Sequence, residues 1–330
     1  MTARKRRALF SLALVLFLAA FLWLSLIIGA VPTRPREFWN FLFHHDNTYR
    51  TIFLDLRLCR AVLAFLVGAS LSLAGAILQG YFQNPMADPF IVGVSSGASL
   101  GAVLCISLGL QATFHGFSVQ SLFAFGLGLG LVSAVYLLSQ KKAAFKVETL
   151  LLTGIAAGAM ASSLTSFLLF LRSDSFEQAV FWLLGSFTPA DWPQVIAVAP
   201  YFFLCLILAQ WLAKDMNLLV LGDEAARALG SPAARVRKIF LVMATLLAAV
   251  SVSVSGIIGF VGLVVPHWVR ILVGPDHRYL FLLSAITGGV FLVGCDLLAR
   301  VLLSPTELPI GIITAAVGAP FFIYLLHQKR

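Results

Sequence analysis

Few residues in this sequence have the type and spacing to do chemistry. Asp296 is a carboxylate inside an apolar run, with Arg300 four residues later. On a helix that spacing makes an ion pair, and an acid within such a run otherwise marks a functional position. Arg57 and Arg60 stand at the head of another apolar run. Their chemistry is charge recognition: snorkelling at an interface, or bidentate reception of carboxylates from a partner. His44 and His45 lie beside Asp46 and Asn47, where a solvated loop is a simpler reading than a haem or metal ligand pair. The cysteines, Cys59, Cys105, Cys205 and Cys295, are widely separated in or beside apolar runs, as small buried hydrophobes are. No cluster has metal-ligand spacing. There is no nucleophile–base pair, no H-E-x-x-H and no G-x-x-x-x-G-K-[ST], so the sequence carries no sign of a catalytic or nucleotide-binding centre.

The elements that hold these residues follow from composition. Of 330 residues, 60% are hydrophobic and 11% charged, against roughly 45–50% and about 25% in soluble domains. One globular core cannot hide that much apolar surface. In lipid the backbone must satisfy its own hydrogen bonds, and continuous apolar runs far longer than barrel strands point to helices. The expected fold is an all-α polytopic membrane protein, a compact bundle forming a single transmembrane domain over residues 1–330. Ten apolar spans are expected, near 9–31, 61–82, 90–110, 118–138, 149–171, 192–212, 237–256, 260–274, 279–303 and 310–326. The first follows Arg4-Lys5-Arg6-Arg7 and is too long for a signal-peptide core, so it reads as a retained span. The eighth is short. Residues 239–273 form one apolar stretch interrupted by Gly256, Gly259, Gly262 and Pro266, giving either two shortened helices or a span plus a re-entrant piece.

Charge favours ten crossings. The net charge is +9, yet the cations occur in short clusters between spans rather than as a basic stripe with aromatics, which argues against nucleic acid. With ten crossings one side holds Arg4, Lys5, Arg6, Arg7, Lys141, Lys142, Lys146, Lys214, Arg227, Arg235, Arg237, Lys238, Arg270, Arg278, Lys329 and Arg330. The other keeps Arg34, Arg36, Arg50, Arg57, Arg60, Arg172 and Arg300. The excess of Lys and Arg on the inner side places both termini in the cytoplasm. Small residues, as in Gly68–Ala76 and Gly154–Gly158, allow close helix approach. Ser70–Gly80 and Ser253–Gly262 share a Ser/Gly pattern that either equivalent helices of two halves or Gly/Ser-rich span composition alone would show.

The longest charged interruption, residues 214–238, contains Gly222-Asp223-Glu224-Ala225-Ala226-Arg227-Ala228-Leu229-Gly230. Two acids at a helix start and a glycine followed by Ser231-Pro232 at its end predict a helix of one to two turns. It is either a solvated connector or a knob on which a partner docks. Asn84-Pro85-Met86-Ala87-Asp88-Pro89 predicts a tight turn between the second and third spans.

Glu224-Ala225-Ala226 with Gly230 matches the E-A-A-x-x-x-G core of the cytoplasmic motif by which importer permeases contact their ATPases, without the I-x-L-P that continues it. From about Asp55 onward the chain resembles the FecCD-type permeases for ferric siderophores, haem and cobalamin. The resemblance is carried by Arg57–Arg60, Gly68–Gly93, Gly259–Arg270 with Asp276-His277-Arg278, Asp296–Arg300 and Glu307–Phe321. Where that family writes R-L-P-R, this chain has Cys59. The resemblance implies a ten-span subunit in the bacterial inner membrane, paired with a second copy, with the substrate path between the two. It also implies two cytoplasmic ATPase subunits, which hold ATP and Mg while this chain binds no cofactor, and a periplasmic binding protein. The ATPase would dock on Gly222, Asp223, Glu224, Ala225, Ala226, Arg227, Leu229 and Gly230. The binding protein would dock on Arg57, Arg60 and Arg300.

An ion-coupled secondary transporter is the competing class, but it calls for several midplane carboxylates and only Asp296 offers itself. Cargo is not written in the residues. A ferric siderophore is the leading expectation, with haem, cobalamin and an oxyanion such as molybdate as alternatives.

Overall fold

The structure is a computed structural model that describes residues 3–29, 36–38, 49–114, 117–140, 147–188 and 190–328. His44 and His45 lie outside the described residues, as do Arg34, Lys141, Lys142, Lys146, Lys329 and Arg330. The helices are α1 (Ala3–Ile27), α2 (Thr51–Tyr81), α3 (Val94–Ser107), α4 (Val119–Ser139), α5 (Val147–Leu171), α6 (Phe176–Leu183) and α7 (Trp192–Trp211). They continue with α8 (Ala213–Leu219), α9 (Asp223–Ala228), α10 (Ala233–Ser255), α11 (Val261–Val273), α12 (His277–Val301) and α13 (Ile310–Gln328). A two-residue β pair, Thr113–Phe114 with Phe117–Ser118, precedes α4. Among the described residues seven helices are long and apolar enough to cross a membrane, namely α1, α2, α4, α5, α7, α10 and α12; Val94–Ser107, Val261–Val273 and the apolar part of α13 are shorter.

Burial sorts these helices into a centre and a rim. The apolar stretch of α2 is 89% buried, whereas that of α1 is 11% buried. α10 and α12 join α2 in the centre, and α4, α5 and α7 keep most of their apolar surface outward. An apolar exterior of that extent is what lipid would solvate. The centre closes by backbone contact rather than by large side chains. A methyl group at Gly68 would overlap the carbonyl of Gly288 on α12, and one at Gly75 would overlap Gly262 on α11. Lipid supplies no hydrophobic drive between helices, so van der Waals contact of this kind must hold them.

Two expectations need revision. α2 begins ten residues before Ala61, with a π-helical turn over Thr51–Leu58, so Arg57 and Arg60 lie within the helix. The Cys59 N–H donates to the carbonyl of Leu54, five residues back. A proline there could not donate, which gives the departure from R-L-P-R a physical consequence. The Ser/Gly echo does not mark equivalent helices. Ser70–Gly80 is uninterrupted helix, while Ser253–Gly262 contains the end of α10, an irregular link and the start of α11.

That link, Gly256–Phe260, resolves the ambiguous stretch into two helices. α11 has 13 residues, about 20 Å at 1.5 Å each, short of a bilayer core of about 30 Å. Irregular backbone near it is satisfied by other parts of the chain. Ser186 N–H donates to Ser255 O (2.9 Å), Ile310 N–H to Gly185 O (3.0 Å) and Gly311 N–H to Leu184 O (3.1 Å).

Candidate functional site

The bundle has two ends. α1 starts at the first, where Arg7 donates to Val273 O at 3.2 Å and lies over the ring of Tyr279. It finishes at the second, where its Ser25 meets Arg300.

At the first end the 214–238 segment folds as two short helices, α8 and α9, then enters α10. Gly222 opens α9 at φ +107°. A Schellman arrangement closes it: Ser231 N–H donates to Ala226 O (2.9 Å) and Gly230 N–H to Arg227 O (3.0 Å), with Gly230 at φ +84°. Arg237 on α10 braces the helix. Its Nε donates to Asp223 Oδ1 at 2.7 Å, and its Nη1 donates to Tyr81 O at 2.8 Å. Ser231 Oγ donates to Asp215 at 2.7 Å. Glu224, Arg227, Ala228, Leu229 and Gly230 are exposed. Ala226 is fully buried and belongs to the main core. That corrects the expectation for this residue: it seats α9 on the chain itself, because a six-residue helix must turn one face inward to be held at all.

Beside α8, Asn217 organises the start of α12. Its Nδ2 donates to Asp276 Oδ1 (2.7 Å), and its Oδ1 accepts from the His277 N–H (3.0 Å) and lies 2.7 Å from His277 Nδ1. Burial alone would raise the Asp276 carboxyl, but the bonds from Asn217 and the Arg278 N–H hold it below its ordinary range. The Asn84–Pro89 segment is a turn, with Met86 N–H on Asn84 Oδ1 and Phe90 N–H on Asp88 Oδ1.

At the second end the charged residues form one internal network. Arg60 binds Asp296 through Nε (2.9 Å) and Nη2 (2.8 Å), and reaches Glu307 through Nη1 (2.8 Å). Arg300 Nε lies 3.2 Å from Asp296 Oδ2 in the expected i,i+4 pair. That N–H is not aligned for a hydrogen bond, so the contact is coulombic; Arg300 Nη2 donates to Ser25 Oγ at 2.6 Å. Arg57 donates to the carbonyls of Leu26 and Ile27 at the end of α1. Arg57 and Arg300 are each 5% exposed, and Arg60 is 11% exposed. The expected basic patch is therefore an internal lock, because the low dielectric around three helix ends makes each guanidinium seek a partner within reach. Glu307 also accepts from Thr188 Oγ1 at 3.1 Å, tying the link before α7 into the same network.

Sequence reasoning anticipated the Asp296–Arg300 pair. It missed Glu307, Ser25 and Asn217; of these, Glu307 was the one with a signal, a carboxylate three residues before α13. Among the described residues no His, Cys, Asp or Glu group could hold a metal ion, and the free cysteines are all buried.

This architecture is that of a helical membrane transport protein: a lipid-facing rim, a close-packed centre and charge-braced ends. The FecCD transport family model matches residues 16–328, and the chain belongs to that family. It is similar to an uncharacterised ABC transporter permease, YvrB, of Bacillus subtilis, at 40% identity over 94% of this chain and 92% of that one. It is 44% identical to the cobalamin import permease BtuC of Halobacterium salinarum over 87% of this chain and 76% of the relative. The Fe(3+) dicitrate permease FecD of Escherichia coli is 37% identical over 97% and 99%. A solved inward-facing metal-chelate type ABC transporter superposes with a TM-score of 0.82 at 33% identity, covering 96% of this chain and 98% of that one.

Proposed function

We propose that this chain is the permease subunit of a binding-protein-dependent ABC importer that moves a bulky metal chelate across the bacterial inner membrane. The observation that carries the reading is α9: a small, outward-facing helix braced by Arg237 at one end of a bundle matched by the FecCD family from residue 16 to 328. In this reading ten helices cross, the first end is cytoplasmic, and two copies of the chain enclose the path. Two separate ATPase subunits dock on Glu224, Arg227, Leu229 and Gly230, with Gly222, Asp223, Ala225 and Ala226 shaping and seating the helix. The binding protein docks on the second end, where Arg57, Arg60 and Arg300 hold the surface in shape rather than receiving its carboxylates themselves.

A ferric siderophore is the proposed cargo. A second reading, cobalamin, is favoured by the 44% identity to the Halobacterium salinarum permease named for it. Proteoliposomes holding the permease and its ATPase, with the binding protein and labelled ferric siderophore, haem or cobalamin inside, separate these. In this inverted orientation cargo leaves the lumen, and ATP is supplied outside, on the face carrying α9. ATP-dependent movement that proton uncouplers leave intact supports the importer, and movement abolished by uncouplers in the presence of ATP refutes it. The cargo moved decides between siderophore and cobalamin.

A further inference from the structure

Three of the segments that mark the family meet at the first end although they are far apart in sequence. Gln79 comes from the end of α2 and Gln83 from the turn after it, His267 and Arg270 from α11, and Asp276 and His277 from the start of α12. With Asn217 of α8 and Val220 just after it they line a cleft of about 740 Å³.

Most polar groups in this cleft are already engaged. Gln79 donates to the carbonyl of Leu263, Gln83 to that of Leu219, and Asp276 is held by Asn217 and the Arg278 N–H. Asn217 Oδ1 can only accept, so the His277 ring donates from Nδ1; its Nε2 is then a buried acceptor without a partner. Arg270 is different. It is half-buried, and among the described residues no carboxylate or carbonyl pairs with it. The C-terminal dipole of α11 favours a cation there but does not neutralise it. The surrounding surface adds exposed Lys214, Arg227, Arg235, Lys238 and Arg278. The cleft also runs into an apolar ledge, where Val220 is 41% and Leu221 67% exposed, on the same side as Leu229 at 63%.

We infer that this cleft is a second seat for the ATPase subunit, in which Arg270 receives an acidic side chain while the ledge and α9 take the adjoining surface. The inference rests on the reading of α9 given above. A cation held in a concave site, with its own acids engaged elsewhere, fits a carboxylate from outside. The exposed leucines beside it fit a protein surface rather than a free anion.

The test uses full-length permease in nanodiscs and the purified ATPase subunit of its complex, with affinity measured at low and high salt. Arg270→Glu is expected to weaken association about tenfold or more at low salt, Arg270→Lys much less, and both effects shrink at high salt. Leu229→Glu is the control for α9. If Leu229→Glu loses binding while Arg270→Glu binds as the unmodified chain does, the second seat is overturned and α9 stands. If both bind normally, the α9 reading falls and takes this inference with it. If Arg270→Glu fails to give a single folded species, Arg270→Gln decides: a salt-sensitive loss supports the seat, and an unchanged salt dependence overturns it. A loss confined to nanodiscs of anionic lipid assigns Arg270 to a lipid phosphate and overturns the proposal.

Discussion

Replacing Asp296 with Asn keeps the shape of the side chain and removes the one charge that lies between two guanidiniums. Asp296 is 1% exposed and sits 2.8 Å from Arg60 and 3.2 Å from Arg300. Breaking a buried pair by removing one partner costs about 3–5 kcal/mol, because the partner is left uncompensated. Arg60 retains Glu307 and Arg300 retains Ser25 Oγ, so the lower figure, about 3 kcal/mol, applies. In a thermal scan of the detergent-solubilised permease, Asp296→Asn should lower the apparent Tm by several degrees. The triple variant Arg60→Met, Asp296→Leu, Arg300→Met should lose less than the single one, since it removes the charges together. A Tm unchanged by Asp296→Asn, or a triple variant less stable than the single, refutes the electrostatic account of the second end. The same scan bears on the binding protein. If Arg60→Glu lowers docking only in step with Tm, the arginine shapes that surface and does not receive a carboxylate.

Four further outcomes follow from the geometry. Leu229→Glu should leave the Tm of the permease unchanged and abolish co-purification with the ATPase, whereas Ala226→Leu should cost about 1–3 kcal/mol by overpacking and lower the Tm. Gly230→Ala should cost about 1 kcal/mol, because φ is +84° and the space around it is open; faster hydrogen exchange at the Gly230 and Ser231 amides would report it. Burial raises the Asp88 carboxyl from 3.8 to about 6 despite the Phe90 N–H. Its contribution is therefore fully present below pH about 4 and is lost as pH rises through about 6, so Asp88→Asn should stabilise by up to about 3 kcal/mol at pH 8 and by little at pH 4. A Leu229→Cys variant should resist membrane-impermeant thiol reagents in intact cells and react in inverted vesicles, with the native cysteines silent because all are buried.

The apolar runs were legible because each is continuous and bounded by charge or glycine. All ten expected runs coincide with helices, their ends shifted by a few residues. The largest shift, at the start of α2, has a tertiary cause. Arg57 and Arg60 read as the edge of a span, yet α2 extends through them, because Asp296 and Glu307 from distant parts of the chain accept Arg60. Charge marks an interface only when no tertiary partner is available. α6 and α8 were invisible for a different reason: Glu177 and Gln178, or Lys214 and Asp215, interrupt hydropathy over only seven or eight residues. The start and stop of α9 could be placed from Gly222 and Gly230, both of which adopt positive φ. Which alanine faced inward could not, since Asp223–Ala228 has no apolar stripe to orient it. The Asn217–Asp276 bond joins residues 59 apart, and no local pattern announces it.

The irregular link between α10 and α11 has a mechanical consequence. Backbone bonds stitch Leu184–Ser186 to Ile310–Gly311 and to Ser255, whose segment runs on to Ile257. A methyl on Gly185 or Gly311 would strike a main-chain oxygen of another of these segments, and one on Gly256 would strike that of Trp182 at the end of α6. Three loops from separate stretches of the chain thus form one knot that cannot slide without breaking. α7 starts just beyond it and α10 ends in it, and both run back to the segment containing α8 and α9. At 1.5 Å per residue these rods are about 30 and 35 Å long. If the ATPase docks on α9 as proposed, a thrust there would be carried along α10, and along α7 past its internal Pro200, to this knot at the opposite end, where it would become tilt rather than compression.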